Sequence, residues 1–414
     1  MNLATQSRDK LFRIAVRKYP PFEAAIRAQW EAFRTRIQLT PELELVSFEL
    51  STLEHELLTS KGMATGAWDI CFIPTDWIAS IHKLGCAVDI QSLLEREPPE
   101  EYPQGWHPSL LRLQRFRGSV LGIPYHDGPE CLIYRRDLFE DSDTKAAFRE
   151  QYGRDLSVPK TWEEFHGIAR FFHNPRKRLY GTAFAAFPDS HNSVYDFLLQ
   201  LWSRGGDLIG PTGEVRFSTP EAISAVSFYR EILSDDLSVH PECRQLDSVA
   251  AGLRFCAGEI AMMINWFGFA TLAHTSKDSA VRGFVDVAEI PTSPSNSPVS
   301  LNVYWLLSIA AGSCHRELAW NFLRHISTGA MDRLTTTCGA IGCRRSTWND
   351  SEINRALPFY RRMEVLHDHA REIPQREDWP QIAAIIDQVV TAAIDSTTLV
   401  SDLLREADAS YARL

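Results

Sequence analysis

Short apolar runs alternate with amphipathic segments over the first third of this chain, and that alternation restricts the fold more than any other feature. Phe12–Val16 reads as a strand, and Phe22–Phe33 places Phe22, Ile26, Trp30 and Phe33 on one helical face. Leu43–Phe48 reads as a second strand, followed by a polar helix over Leu53–Lys61. Asp69–Ile73 is the third strand, and the helix Trp77–Leu84 stops at Gly85. Strands alternating with helices specify parallel βαβ units in an open sheet covered on both faces. In such sheets ligands bind beyond the carboxyl ends of the strands. The residues to watch are therefore Lys18-Tyr19-Pro20, Pro74–Trp77 and Tyr125-His126-Asp127.

From about residue 131 the pattern changes to longer, well-capped helices. Thr161-Trp162-Glu163-Glu164 fits a capping box, which turns Trp162 and Phe165 inward and makes Trp162 a core residue. Thr219-Pro220 launches Glu221–Leu233, with threonine as the cap and proline at the first helical position. Ser313 is placed to cap Arg316–Ile326, whose apolar stripe is Leu318, Phe322, Leu323 and Ile326. Trp379–Leu414 reads as amphipathic helix, and Pro291–Pro298 as a short surface loop. At 414 residues the chain exceeds what one core usually organises, so two domains are expected.

Several function classes drop out. A net charge of −10, with no basic run longer than Arg176-Lys177-Arg178, argues against a nucleic-acid surface. No stretch approaches the roughly 20 apolar residues that span a bilayer. Ile260–Ala273 and Leu301–Gly312 each read as a buried strand with its following loop. Met1–Lys10 carries no apolar run of the kind a secretory leader has, which leaves the compartment open. The eight cysteines show no zinc-finger spacing. Cys71, Cys256 and Cys314 lie in or beside apolar stretches and read as small buried residues. Cys338 and Cys343 flank Gly-Ala-Ile-Gly, a turn flexible enough to bring two thiols together. His367 and His369, spaced by two, point to different helix faces, so no metal is expected there. No nucleophile elbow, phosphate loop or dinucleotide fingerprint is present, and nothing demands catalysis or a cofactor.

Aromatic residues at loop positions stand out instead: Tyr19, Trp77, Tyr125, Trp266, Tyr304, Trp305 and Trp379. Aromatic faces pack on the C–H faces of sugar rings while nearby polar side chains hydrogen-bond hydroxyls. Each is equally a good core residue, since a pocket wall is itself mostly apolar. Leu301–Ile309 reads as one strand, with Val303, Trp305 and Leu307 on one face and Asn302, Tyr304 and Leu306 on the other.

Four segments in order resemble the family 1 extracellular solute-binding proteins, which are maltose-binding-protein-like. They are Trp68–Trp77 with Gly85 and Leu93-Leu94, and Gly118–Tyr125 leading to Leu132–Phe139 and Pro159–Phe165. Phe255–Ile264 and Val303–Ile309 with Ala319–Leu323 complete the set, over nearly the whole chain. The resemblance implies a two-lobed α/β periplasmic-binding-protein-like fold with a hinged cleft. It divides the chain into 1–128 plus 267–325 for the first lobe and 129–266 plus 326–414 for the second, more helical one.

It further implies a monomeric periplasmic component of an ABC transporter that captures a carbohydrate for permease subunits. Trp77, Asp127, Trp266 and Trp305 then become cleft residues, with Tyr19, His126, Asn192, Tyr304, Arg345 and Trp379 behind them. Two alternatives stay open. One is a thiaminase-like enzyme on the same fold with Cys131 as nucleophile, against the plainer reading of Cys131 as a small buried residue. The other is a cytoplasmic sugar sensor.

Overall fold

The computed structural model describes residues 11–37 and 41–414, so the leader question at Met1–Lys10 lies outside the described residues. In chain order the elements used below begin with β1 (Leu11–Arg17), α1 (Pro20–Ile37), β2 (Glu42–Phe48), β3 (Ile70–Pro74), α2 (Ile78–Leu84) and β4 (Ile123–His126). Then come β5 (Glu130–Arg135), α3 (Trp162–Phe172), α4 (Asn192–Trp202), α5 (Pro220–Leu233), β6 (Met262–Trp266), α6 (Phe267–Thr275), β7 (Val285–Ala288) and β8 (Ser300–Asn302). The chain closes with β9 (Trp305–Ile309), α7 (Arg316–Ile326), α8 (Gly329–Thr337), β10 (Ala370–Glu372), α9 (Trp379–Asp395) and α10 (Val400–Tyr411). No described helix is long and apolar enough to cross a membrane.

The chain folds as two compact units, one of residues 1–128, 303–364 and 375–377, the other of 129–302, 365–374 and 378–414. This differs from the division drawn from the sequence. Residues 267–302 fall in the second unit because β7 pairs with β5, whose other edge holds β6, and α6 packs on β5 and β7. Residues 326–364 fall in the first because α8 packs on α1, where Gln29 Nε2 donates to Thr335 Oγ1 at 2.8 Å.

The sheet of the first unit runs β2-β1-β3-β9-β4, with β1 parallel to β2 and β3, and β9 antiparallel to both β3 and β4. Phe12, Ile14, Trp30, Phe72 and Phe322 are buried in its core, where Trp30 stacks on Phe12 at 4.9 Å. The second unit holds an antiparallel sheet β6-β5-β7 and a separate parallel pair, β8 with β10. The capping box at Thr161 and the Thr219 cap are both present, and Trp162 is buried with its indole N–H donated to Ser203 Oγ at 2.8 Å.

Five local expectations need correction. Leu301–Ile309 is not one strand: Asn302 ends β8 and Trp305 begins β9, because each half finds its hydrogen-bond partners in a different unit. The end of Ile260–Ala273, expected as loop after the strand, is helical and belongs to α6. Ser313 does not cap α7. Its hydroxyl donates to Asp69 and accepts the His315 N–H. Cys314 is exposed, whereas Cys71 and Cys256 are buried. Cys338 and Cys343 are free thiols. Cys343 is buried, with its N–H held by Asp332 Oδ1 at 2.7 Å, while Cys338 sits half-buried just past α8.

Candidate ligand-binding residues

In the first unit, strand direction gathers several predicted residues at one sheet edge. Because β9 runs antiparallel, its first residue, Trp305, lies opposite Pro74 at the carboxyl end of β3 and His126 at the carboxyl end of β4. Tyr19 follows β1 and Trp77 ends the single turn after β3, so both leave their strands at this edge. The half-buried Trp305 ring meets Phe22 edge-on at 5.9 Å and Phe72 at 6.3 Å. Tyr19 packs against Phe22 at 5.0 Å and lies 6.3 Å from His126. Core phenylalanines therefore seat aromatics whose remaining surface is available.

His126 Nδ1 accepts the Ile341 N–H at 2.9 Å, and the Asp127 N–H donates to the Ile341 carbonyl at 3.1 Å. The first of these bonds requires a lone pair on Nδ1, so the proton sits on Nε2. Burial pushes the imidazole down to about 3, against the pull of the Asp127 carboxylate. His126 is thus a neutral donor through Nε2 at physiological pH.

Trp77 and Asp127 are buried, at 5% and 2% exposed. Tyr304 is not brought into the group. It is 1% exposed, its hydroxyl donates to the Leu110 carbonyl, and its N–H and carbonyl bond Thr75. That ring is core. Arg345 is exposed and paired with Glu364 at 3.0 Å. Its neighbour Arg344 is the buried arginine, donating to the Glu100 and Ser327 carbonyls and standing over Trp106 at 4.3 Å.

In the second unit, Trp266 ends β6 half-buried, 5.6 Å from Tyr195 in an edge-to-face contact. Asp189 accepts the N–H groups of His191 and Asn192 at 2.9 Å, and Asn192 Nδ2 donates back to it at 2.6 Å. His191 Nδ1 lies 2.9 Å from the Tyr195 hydroxyl. The start of α4 is thereby braced beside Trp266. Trp379, the first residue of α9, is buried at 5% exposed and reads as core.

Two carboxyls in this unit escaped sequence reasoning. Glu130 pairs with Trp266 across β5 and β6, and Asp196 lies in α4 with the Tyr229 hydroxyl donating to it. Burial pushes Asp196 up to about 7, opposed by the Tyr229 bond and aided by Asp189. Burial, then the charge of Asp196, raises Glu130 well above the carboxylate range. A lone acidic residue in an apolar stretch, Glu130 before Cys131–Tyr134 and Asp196 within Val194–Leu199, was the available signal.

Two α/β units with this topology, carrying aromatic and neutral polar groups at strand and helix ends, define the two-lobed solute-binding fold. The maltose-bound MalE3 of T. maritima superposes with a TM-score of 0.84 at 20% identity, covering 97% of this chain and 99% of that one. An ABC transporter solute-binding protein from Agrobacterium radiobacter K84, in complex with ribitol, gives 0.84 at 21% identity, covering 97% of each chain. A binding protein of Brucella abortus (strain 2308) is 23% identical over 306 residues, 74% of this chain and 68% of its own length. The model of the family of bacterial extracellular solute-binding proteins matches residues 18–328, and the chain belongs to that family.

Proposed function

We propose that this protein captures a carbohydrate, a sugar or a polyol, and delivers it to the permease subunits of an ABC importer. The observation that carries the reading is the aromatic edge of the first unit, where the half-buried Trp305, Tyr19 and His126 gather. Trp266 with Tyr195, and Asn192, supply the second unit's share. Half-buried indole and phenol faces suit C–H surfaces, and a neutral imidazole donor suits hydroxyls. Maltose and ribitol, bound in the similar structures, support the class.

On this reading binding draws both units onto the ligand, and the protein works as a periplasmic monomer without turnover. A thermal-shift panel of sugars, polyols, amino acids and thiamine tests it. Ligand at 100 times its dissociation constant should add about 2.7 kcal/mol of stability. The radius of gyration in small-angle scattering should fall with the same ligand. A melting point raised by thiamine or an amino acid, and unmoved by every sugar and polyol, overturns the carbohydrate assignment.

No observation favours Cys131 as a nucleophile. Its side chain is fully buried and its thiol faces the Asn265 carbonyl at 3.8 Å. Cys131→Ser should bind ligand as wild type does, with stability lower by at most about 1–3 kcal/mol from the buried hydroxyl. Turnover of a ligand that disappears in this variant would reverse the conclusion.

A further inference from the structure

At the opposite edge of the first unit's sheet, Asp69, Cys314 and His315 bring a carboxylate oxygen, a thiol sulfur and an imidazole nitrogen within 4.8 Å of one another. Asp69 stands just before β3, and the other two follow β9. Five residue steps, about 17 Å of strand, separate Asp69 from Pro74 at the aromatic edge. The cluster therefore has no part in the proposed carbohydrate site.

The carboxylate is held from two sides. Asp69 Oδ2 accepts the Arg13 N–H at 2.9 Å, and Oδ1 accepts the Ser313 hydroxyl at 2.6 Å. The same hydroxyl accepts the His315 N–H at 3.0 Å, which ties the histidine backbone to the aspartate. Asp69 is 5% exposed, His315 is half-buried with its ring 6.1 Å from Phe12, and Cys314 is exposed. A braced first ligand, a positioned second and an accessible third is the arrangement that outer-shell bonds produce around metals.

The distances distinguish a chelate from a proton relay. A relay needs the thiol on one ring nitrogen and the carboxylate on the other. Here both face Nδ1, with Asp69 Oδ1 at 3.1 Å and Cys314 Sγ at 3.7 Å. Tetrahedral zinc, with its usual bond lengths of about 2.3 Å to sulfur and about 2.1 Å to nitrogen or oxygen, sets its ligands about 3.4 Å apart for nitrogen and oxygen and about 3.6 Å apart for nitrogen and sulfur. Small side-chain shifts close the difference.

We propose that Asp69, Cys314 and His315 form a three-ligand site for a borderline divalent transition metal, Zn²⁺ fitting best, with the fourth position open to water. Mixed sulfur, nitrogen and oxygen donors favour such an ion over Ca²⁺ or Mg²⁺, which take oxygen ligands. Binding removes the thiol proton to solvent, while His315 coordinates as neutral imidazole and Asp69 as carboxylate. The ion would pin the start of β3 to the segment after β9, residues 246 apart in sequence.

The test uses the full chain, stripped with chelator and titrated with Co²⁺ and with Zn²⁺. Wild type should develop a thiolate-to-cobalt charge-transfer band that saturates at one equivalent, and Zn²⁺ should displace it. Cys314→Ser should abolish the band, and Cys338→Ser, which alters a thiol outside the cluster, should retain it. Ser313→Ala, removing the brace, should weaken binding about tenfold or more. Both cysteine positions are at least partly exposed, so neither variant is expected to unfold, and melting curves check this. No saturable band in wild type overturns the proposal, as does a band that survives Cys314→Ser or disappears in Cys338→Ser.

Discussion

Trp305→Ala is expected to remain folded while losing ligand affinity by about 2 kcal/mol or more, roughly thirtyfold, as buried aromatic anchors do. Trp305 is half-buried, touching the core through Phe22 at 5.9 Å and Phe72 at 6.3 Å. Part of its surface is thus committed to packing and part is not. Trp30 is the control. It is 1% exposed, stacked on Phe12 at 4.9 Å and set against Phe322 at 5.1 Å. Trp30→Ala should cost about 3–5 kcal/mol of folding stability. Calorimetric titration with the ligand found in the panel, and melting of both variants, separates the two roles. Trp305→Ala as destabilising as Trp30→Ala, or binding as tightly as wild type, removes Trp305 from the site.

The parts of this fold that local physics dictates were legible. The strands β1 to β3 and the helix α1 follow from short apolar runs and a period-3.6 stripe within short windows, whereas the one polar helix expected over Leu53–Lys61 is broken into Leu50–Glu54, His55–Thr59 and Gly62–Thr65. The caps at Thr161 and Thr219 follow from side chains reaching three residues ahead. Where pairing partners decide, the sequence was silent. The break between Asn302 and Trp305 carries no glycine or proline, and only the partner strands, β10 and β3, show why the ladder stops and restarts.

Loss of that break also misplaced Tyr304. Alternation along one strand cannot anticipate a ring turned to the Leu110 carbonyl. The metal-ligand group was hidden for the same reason. Cys314-His315 is an unremarkable dipeptide until the sheet brings Asp69 to it across 246 residues. Trp305 came forward from the sequence only through the resemblance, since inside Leu301–Ile309 it reads equally as a core residue. Its neighbour His126 was visible too, but its neutral state depends on the distant Ile341 N–H and on burial.

Asp196→Asn should leave stability close to wild type near pH 4 and raise it by up to about 4 kcal/mol at pH 8. The carboxyl's ordinary value is 3.8, and burial is the main cause that carries it to about 7 in the folded protein. Between those values the folded state holds a proton that the unfolded chain has released. Stability therefore falls as pH rises through that window. Below it both states are protonated and the group contributes nothing. Above about 7 both are ionised, and the full penalty of a buried charge persists.

Asparagine keeps a carbonyl to accept the Tyr229 hydroxyl, so the hydrogen bond survives while the charge does not. Glu130, raised first by its own burial and then by Asp196, loses the second of those influences in the variant. That change works in the same direction, since one fewer buried negative charge remains in the pair. Denaturant unfolding of both proteins at the two pH values measures the difference. An advantage of the same size at both, or a wild type more stable than the variant at pH 8, would show that Asp196 does not titrate as a buried carboxyl beside Tyr229.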